Sequence, residues 1–293
     1  MAYEESPFKR LLSDFVANPT AVFGLVLLGI ILVVAAVAPL ISPQNPYDLA
    51  QLDVVAGRLP PGSKADGGTT FWLGTDDQGR DMLSAIFYGL RISLTVGVTS
   101  TVVALTIGLA LGLAAAYLGG RTETVIMRIA DIQLSFPAIL IALILLAVLG
   151  QGTLKIIIAL VTVQWAYYAR TVRGAALVEK RKEYVEAARC LALSPARIVF
   201  RHIMPNCLPP LIVVATVQVA AAIALEATLS FLGLGLPITE PSLGLLIANG
   251  YQYLLSGKYW ISFFPGVALL LTIVSINLVA DQLRDVLNPR FQR

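Results

Sequence analysis

Histidine appears once in this chain, as His202, and cysteine twice, as Cys190 and Cys207. One imidazole nearly excludes a histidine-based metal centre, and the two thiols have neither metal-ligand spacing nor the pattern of a disulfide frame. Charge is scarce as well. Asp, Glu, Lys and Arg make up 13% of the 293 residues, against roughly a quarter in an average soluble domain, while 57% are hydrophobic. So few polar groups cannot wrap a globule of this size, so much of the solvent around the chain is lipid. No GxSxG surrounds a serine, and no nucleophile–base constellation is visible. A phosphate-binding GxxxxGK[ST] is also missing: Gly257-Lys258 precedes Tyr259 at the wrong spacing to wrap backbone amides around phosphates. If the chain drives uphill transport, the energy comes from another subunit or an ion gradient. There is no long low-complexity tract and no internal repeat.

What the chain has instead is apolar runs long enough to cross a roughly 30 Å hydrocarbon layer as helices. Six are expected, over 20–41, 92–118, 126–149, 154–172, 208–232 and 262–283, and only helices satisfy backbone groups in lipid. The first run is too long for a signal-peptide core and reads as a retained span. Before it, Ser6-Pro7 resembles a helix start, and Phe8, Leu11, Leu12, Phe15 and Val16 form one apolar face. An interfacial helix ending near Asn18-Pro19 is expected there, with a disordered tail as the alternative. Of the 21 Lys and Arg residues, only Arg58, Lys64, Arg80, Arg91, Lys155 and Lys258 fall in segments that this topology places outside. The positive-inside rule therefore puts both termini in the cytoplasm. The outer segment 42–91, rich in Pro, Gly and Asp, reads as a loop with at most one short helix.

Within the second span Ser100, Ala104, Gly108, Gly112 and Ala116 recur every fourth residue, which lets another helix approach closely. Polar residues at membrane depth are candidates for a translocation or gating role: Glu226 first, then Asp131, Gln218 and Asn277, with Gln133 and Gln164 near them. Glu226 as a proton-coupling group would make the chain a secondary transporter. As a single carboxylate without a relay partner, it fits a structural or gating role better.

One hydrophilic island interrupts the apolar pattern, Glu183 to Asn206, preceded by a basic stretch from Arg170 to Lys182. A helix is expected from about Glu179, with Tyr184, Ala187, Ala188 and Leu191 on one face. Ser194-Pro195 starts a second helix that is expected to run toward Met204 and stop at Pro205, with a tight turn near Ala192-Leu193 between the two. A solvated loop needs no such order, and a DNA-binding helix-turn-helix does not suit a segment tethered between spans. A docking element for a cytoplasmic protein explains helices, small residues and charges together. His202 reads as a helix-end or interfacial group, and both cysteines as small apolar packers.

The stretch YVEAARCLALSPARIVFRHIMPN resembles the EAA loop of bacterial ABC-importer permeases: EAA, three residues, Gly, nine residues, Ile-x-Leu-Pro. Glu186, Ala187, Ala188 and Pro205 match; Ala192, His202 and Met204 replace the pattern's Gly, Ile and Leu. Three further blocks, over 72–97, 225–244 and 263–290, are similar to signatures of the dipeptide/oligopeptide/nickel branch, and to its smaller permease type. Ala280 and Asn288 are lesser departures. The resemblance implies an all-α integral membrane protein in the type I ABC importer permease fold, in the bacterial inner membrane, with about six spans and cytoplasmic coupling helices. It implies an N-terminal interfacial helix at 1–19, a first span at 20–41, a periplasmic loop at 42–91, a permease core at 92–284 that includes the EAA loop at 174–207, and a cytoplasmic tail at 285–293.

It also implies partners: a second, homologous permease, two cytoplasmic ATPases that bind ATP and Mg2+, and a periplasmic substrate-binding protein. No catalytic, cofactor or metal site is expected in this chain. Tyr184, Glu186, Ala187, Ala188, Ala192, Leu193, Ser194 and Arg197 would build the coupling element, with the turn near Ala192 and Leu193 meeting the ATPase. If the family's glycine adopts a left-handed conformation, alanine there costs on the order of 1 kcal/mol.

Overall fold

The computed structural model describes residues 13–48, 52–64 and 70–287. Phe8, Leu11 and Leu12 of the expected interfacial helix lie outside them; residues 13–16 are helical and turn at Ala17. Asn18 caps the next helix, accepting from the Thr20 amide at 3.1 Å, and Pro19 fills the first turn, where no N–H is needed.

Nine helices follow among the described residues: α1 (Pro19–Ile41), α2 (Met82–Leu118), α3 (Gly120–Leu134), α4 (Ala138–Leu149), α5 (Thr153–Glu179), α6 (Glu183–Cys190), α7 (Pro195–Phe231), α8 (Leu243–Tyr251) and α9 (Trp260–Leu287). The only strands described, β1 (Ser63–Lys64) and β2 (Thr70–Phe71), pair antiparallel with Ser63 opposite Phe71.

Four helices are long and apolar enough to cross a membrane by themselves: α1, α2, α7 and α9. The expected third span is broken. Ser135 and Phe136 precede Pro137, which disfavours helical backbone before it, and α3 and α4 meet at 92°; counted together they make a fifth crossing. The expected span at 154–172 is part of α5, 27 residues long, which carries Lys155, Arg170 and Arg173 and so lacks the composition of a lipid-exposed span. Its position explains this. Ala159, Leu160, Ala166, Tyr168, Ala169 and Val172 are buried against neighbouring helices, so protein rather than lipid surrounds much of it.

The small-residue stripe of α2 is where α5 comes closest. A Cβ on Gly108 would sit 2.4 Å from the Tyr168 Cβ and 2.7 Å from the Trp165 carbonyl, and one on Gly112 would sit 2.6 Å from the Ala169 carbonyl. Ser100, Ala104 and Ala116 of the same stripe are also buried. Three apolar clusters share α2. One joins it to α1, α7, α8 and α9; one joins α2, α4, α5 and α7; the third joins α2 and α5 to α6 and the start of α7.

The outer segment is more ordered than a loop, and α2 starts ten residues earlier than expected, at Met82, so 82–91 is helix. Asp81 caps it, accepting from the Ser84 amide at 2.8 Å. Asp76 and Arg80 form a fully buried ion pair, Nε to Oδ2 at 2.6 Å, and Arg80 Nη1 donates to the Ile238 carbonyl at 3.1 Å. Trp260 Nε1 donates to the Thr75 carbonyl at 3.1 Å, pinning the segment to α9. Beside the pair, burial and then the charge of Asp76 push the Asp77 carboxyl above its ordinary value, and Asp77 Oδ1 is buried without a partner among the described residues.

Two outcomes are expected. Gly108→Ala inserts a methyl against backbone atoms and lowers stability by about 1–3 kcal/mol, more than the better helix propensity of alanine returns. Thermal unfolding in detergent reads the loss, with Gly266→Ala, which meets nothing within 4 Å, as the neutral control. For Asp77, a raised folded-state value means that the protonated form is favoured in the fold. The outer segment therefore gains stability from this group as pH falls through the raised value. Hydrogen exchange over 74–81 slows on mild acidification relative to Asp77→Asn, which lacks this dependence.

Candidate functional site

The island begins after a three-residue turn at the end of α5. Helix α6 starts at Glu183 rather than near Glu179, and Glu179 closes α5. Glu183 and Glu186 lie in the first turn of α6 and Arg189 in its last, which complements the helix dipole. Val185 and Ala188 turn inward and are buried with Ile198, Ile203 and Cys207. This corrects the expected face. Tyr184, Glu186, Ala187 and Leu191 are exposed, but Ala188 packs within the chain and presents nothing to a partner.

The turn after α6 places Ala192 at φ +54°, in the left-handed region. Its amide donates to the Arg189 carbonyl at 2.9 Å, and the Leu193 amide donates to the Ala188 carbonyl at 3.1 Å. These two bonds are the Schellman helix ending, which normally uses glycine at this residue. The same chain uses glycine for the same purpose at the other end of α7. There Gly233 has φ +77°, with the Gly233 amide on the Ser230 carbonyl and the Leu234 amide on the Leu229 carbonyl. Ala192 thus holds a glycine geometry with a Cβ attached.

Ser194 caps α7 from outside, its Oγ accepting from the Arg197 amide at 3.4 Å, a long bond. The expectation that this helix stops at Pro205 fails. After Pro195–Arg197 the backbone widens to a π-helix over Ile198–Ile203, with the Met204 amide on the Val199 carbonyl, and then runs on to Phe231. The shift in bonding register brings Pro205 to the second position of a renewed α-helix, where its missing N–H leaves no partner stranded. Beside it, Asn206 Nδ2 donates to the His202 carbonyl at 2.7 Å.

The island is tied to the helices above it by residues that the motif did not single out. Lys180 Nζ donates to the carbonyls of Ala116 and Tyr117 at 2.9 and 3.0 Å, closing the end of α2 where a cation opposes the dipole. Glu179 accepts from Lys182 Nζ at 2.6 Å and from the Tyr184 hydroxyl. Partial burial and the Glu179 carboxylate together push the Tyr184 hydroxyl up to about 12, so it stays a donor. Asn206 Nδ2 also reaches the Tyr184 oxygen, at 3.1 Å. His202 enters through its carbonyl and through ring contact with Tyr184, 6.5 Å between centroids. Cys207 is a buried packer as expected; Cys190 is exposed and is not. Outside these ties the free surface is Glu186, Ala187, Leu191, Ala192, Ser194 and Arg197, with Leu193 half-buried; Leu191 is 74% exposed.

The polar residues at membrane depth separate into distinct places. Glu226 is sealed, accepting from Ser93 Oγ at 2.9 Å and Ser230 Oγ at 2.7 Å. It joins α2 to the outer end of α7. Asp131 pairs with Arg170, both about half exposed, and Arg173 Nε meets Glu123 Oε1 at 2.7 Å nearby. Gln133 accepts from Trp165 Nε1 at 2.7 Å. Gln218 is half-buried on α7, and its carbonyl accepts from Gln164 Nε2 at 3.1 Å; Asn277 is exposed on α9. The four candidates for a translocation role therefore do not converge on one site.

Residues 108–293 match the family described as binding-protein-dependent transport system inner membrane component, and residues 6–61 match the N-terminal TM domain of oligopeptide transport permease C. The chain belongs to this permease family. The dipeptide transport system permease protein DppC of Escherichia coli is 40% identical over 288 residues, 98% of this chain and 95% of that protein. The di/tripeptide transport system permease protein DppC of Pseudomonas aeruginosa is 36% identical over 287 residues, 98% of this chain and 93% of that one. A putative peptide transport system permease protein of Brucella suis is 42% identical over 269 residues, 92% of this chain and 87% of its own length. Inward-facing structures of the MetNI methionine ABC transporter share the fold, with TM-scores of 0.57 and 0.58 at 21% and 20% identity, over 71% of this chain and 98% of the matched chain. The protein is thus an ABC importer permease, a multi-pass inner-membrane subunit.

In this permease, Ala192→Gly relieves a left-handed alanine and stabilises the turn by about 1 kcal/mol. Exchange of the Leu193 amide, which depends on that turn, slows by about fivefold, and Ala192→Val speeds it.

Proposed function

We propose that this permease forms half of a translocation pathway for peptides or a related small solute, and that the α6–turn–α7 element couples it to an ATPase. The element supports that reading by one feature above others. Its inner side, Val185 and Ala188, is built into the core, while Glu186, Ala187, Leu191 and Arg197 remain free around an ordered, exposed turn. An exposed leucine on an ordered turn gains by leaving water for a protein groove.

In this reading the chain is non-catalytic. Two cytoplasmic ATPases bind ATP and Mg2+ and receive the turn near Ala192 and Leu193. A second, homologous permease completes the pathway, and a periplasmic substrate-binding protein delivers solute to the outer face. Both termini are cytoplasmic, in keeping with the distribution of Lys and Arg. The relatives named for dipeptide, di/tripeptide and peptide transport support a peptide-like cargo. A proton-coupled transporter using Glu226 is the weaker reading, since two serines enclose that carboxylate.

Glu186→Arg reverses the charge on the free face without touching the core. It is expected to cost about 2 kcal/mol or more of docking energy, as loss of an interface hot spot does. ATP-driven uptake and co-purification of the ATPases both fall, while the amount of permease in the membrane is unchanged. Undiminished uptake with normal ATPase association would overturn the assignment.

A further inference from the structure

Between α4, α5 and α7 lies an open cleft of about 520 Å³, lined mostly by apolar side chains such as Ile139, Val163 and Leu225, with Gln164, Tyr167, Gln218 and Thr228 as its polar groups. Gln164 lies near the middle of α5 and Gln218 near the middle of α7, so the cleft sits at membrane depth. Among the described residues the Gln218 side chain and the Tyr167 hydroxyl make no hydrogen bond, and Tyr167 is 45% exposed. A free amide and a free phenol facing hydrocarbon would go unsatisfied, so this face looks toward water or protein, not lipid. No residue bordering the cleft carries a charge. One turn further along α5, Arg170 lies on the same side as Tyr167, and Asp131 neutralises it. Glu226 is sealed elsewhere and contributes nothing to this surface.

We propose that this cleft is the chain's half of the solute path, and that it handles its cargo through neutral hydrogen-bonding groups rather than charge. This rests on the importer reading above and narrows it. Amide and hydroxyl groups serve a solute rich in backbone N–H and C=O groups, which every short peptide presents. A lining without net charge treats acidic, basic and neutral side chains alike, leaving discrimination among them to a component outside this cleft. Gln164 is held in place by the Gln218 carbonyl, while the free Gln218 amide and Tyr167 hydroxyl supply the groups that meet the solute.

The test uses the whole transporter, this permease with its partner permease, ATPases and binding protein, reconstituted in liposomes. Uptake of radiolabelled dialanine, lysyl-alanine and aspartyl-alanine is compared for the native complex and for Gln218→Glu. The expected result is that the variant shifts the aspartyl-alanine to lysyl-alanine uptake ratio about tenfold downward, because a like charge in a poorly solvated path is repelled. An unchanged ratio overturns the proposal. In parallel, Gln218→Cys in a Cys190→Ser background is treated with a membrane-impermeant thiol reagent. Reaction in one nucleotide state of the transporter supports the path. Protection in every state, together with cross-linking of the new cysteine to the partner permease, makes this face a helix-packing interface and also overturns the proposal. If the native complex moves none of the three dipeptides, the peptide reading fails, and thiol reactivity at position 218 still decides whether the cleft is a path.

Discussion

Everything in this permease is arranged around the approach of α2 to α5, which two glycines make possible. Gly108 and Gly112 leave no room for even a methyl group between the helices. Such an approach maximises dispersion contacts, the main attraction available between helices where lipid is as apolar as leucine. Because α5 lies against the bundle, it tolerates the polar and charged residues that would be costly on a lipid-facing span. Those residues then become useful: Gln164 reaches α7, Arg170 and Arg173 hold α3, and Glu179 holds the island.

The island is rigidly joined to this pair. Lys180 closes the end of α2, Glu179 and Tyr184 link α5 to α6, and Val185 and Ala188 are packed in the same cluster as Ala116 and Val172. From the turn at Ala192 the chain enters α7, which runs as one helix from Pro195 to Phe231 despite Pro205, Pro209 and Pro210 inside it. The π segment reconciles the two facts. It absorbs one residue of register and brings Pro205 to the first turn of the renewed α-helix, which then continues through Pro209 and Pro210. The turn is thus joined through one element to the outer loop, where Glu226 and its serines tie α7 to α2; in the reading proposed above, a push on the turn travels along that element.

Much of this was legible in the sequence because it depends on local chemistry. The apolar runs, the small-residue stripe and the Ser194-Pro195 start are each written in a few neighbouring residues, while the strain at Ala192 was legible only through the glycine of the motif it resembles. What was not legible depends on distant partners. Pro205 read as a stop because the rule for an isolated helix says so, and only the π turn, which has no sequence signature, lifts it. Ala188 read as an exposed contact because helical spacing fixes which residues share a face but not which face is buried; Val185, one residue away from the expected stripe, decides it. The broken span at Pro137 carried a signal, Phe-Pro inside an apolar run, that length alone overrode. Lys180 read only as part of a basic stretch, since nothing local marks the carbonyls of Ala116 and Tyr117 as its partners.

The fate of the ionisable residues decides how such a subunit can be driven. Glu226 is enclosed by hydroxyls, Asp131 and Glu123 are paired with Arg170 and Arg173, and the cleft between α4, α5 and α7 is bordered by neutral groups. A proton-driven transporter needs a carboxylate that meets water on alternate sides of the membrane and changes its charge as it does so. None of these carboxylates is placed to do that: one is shut in, and the others are neutralised by an arginine on α5. Work must then arrive as displacement rather than as charge. In the proposed coupling, the element that receives it is a turn that keeps a left-handed alanine in place because both flanking helices are anchored, and a long helix carries it outward.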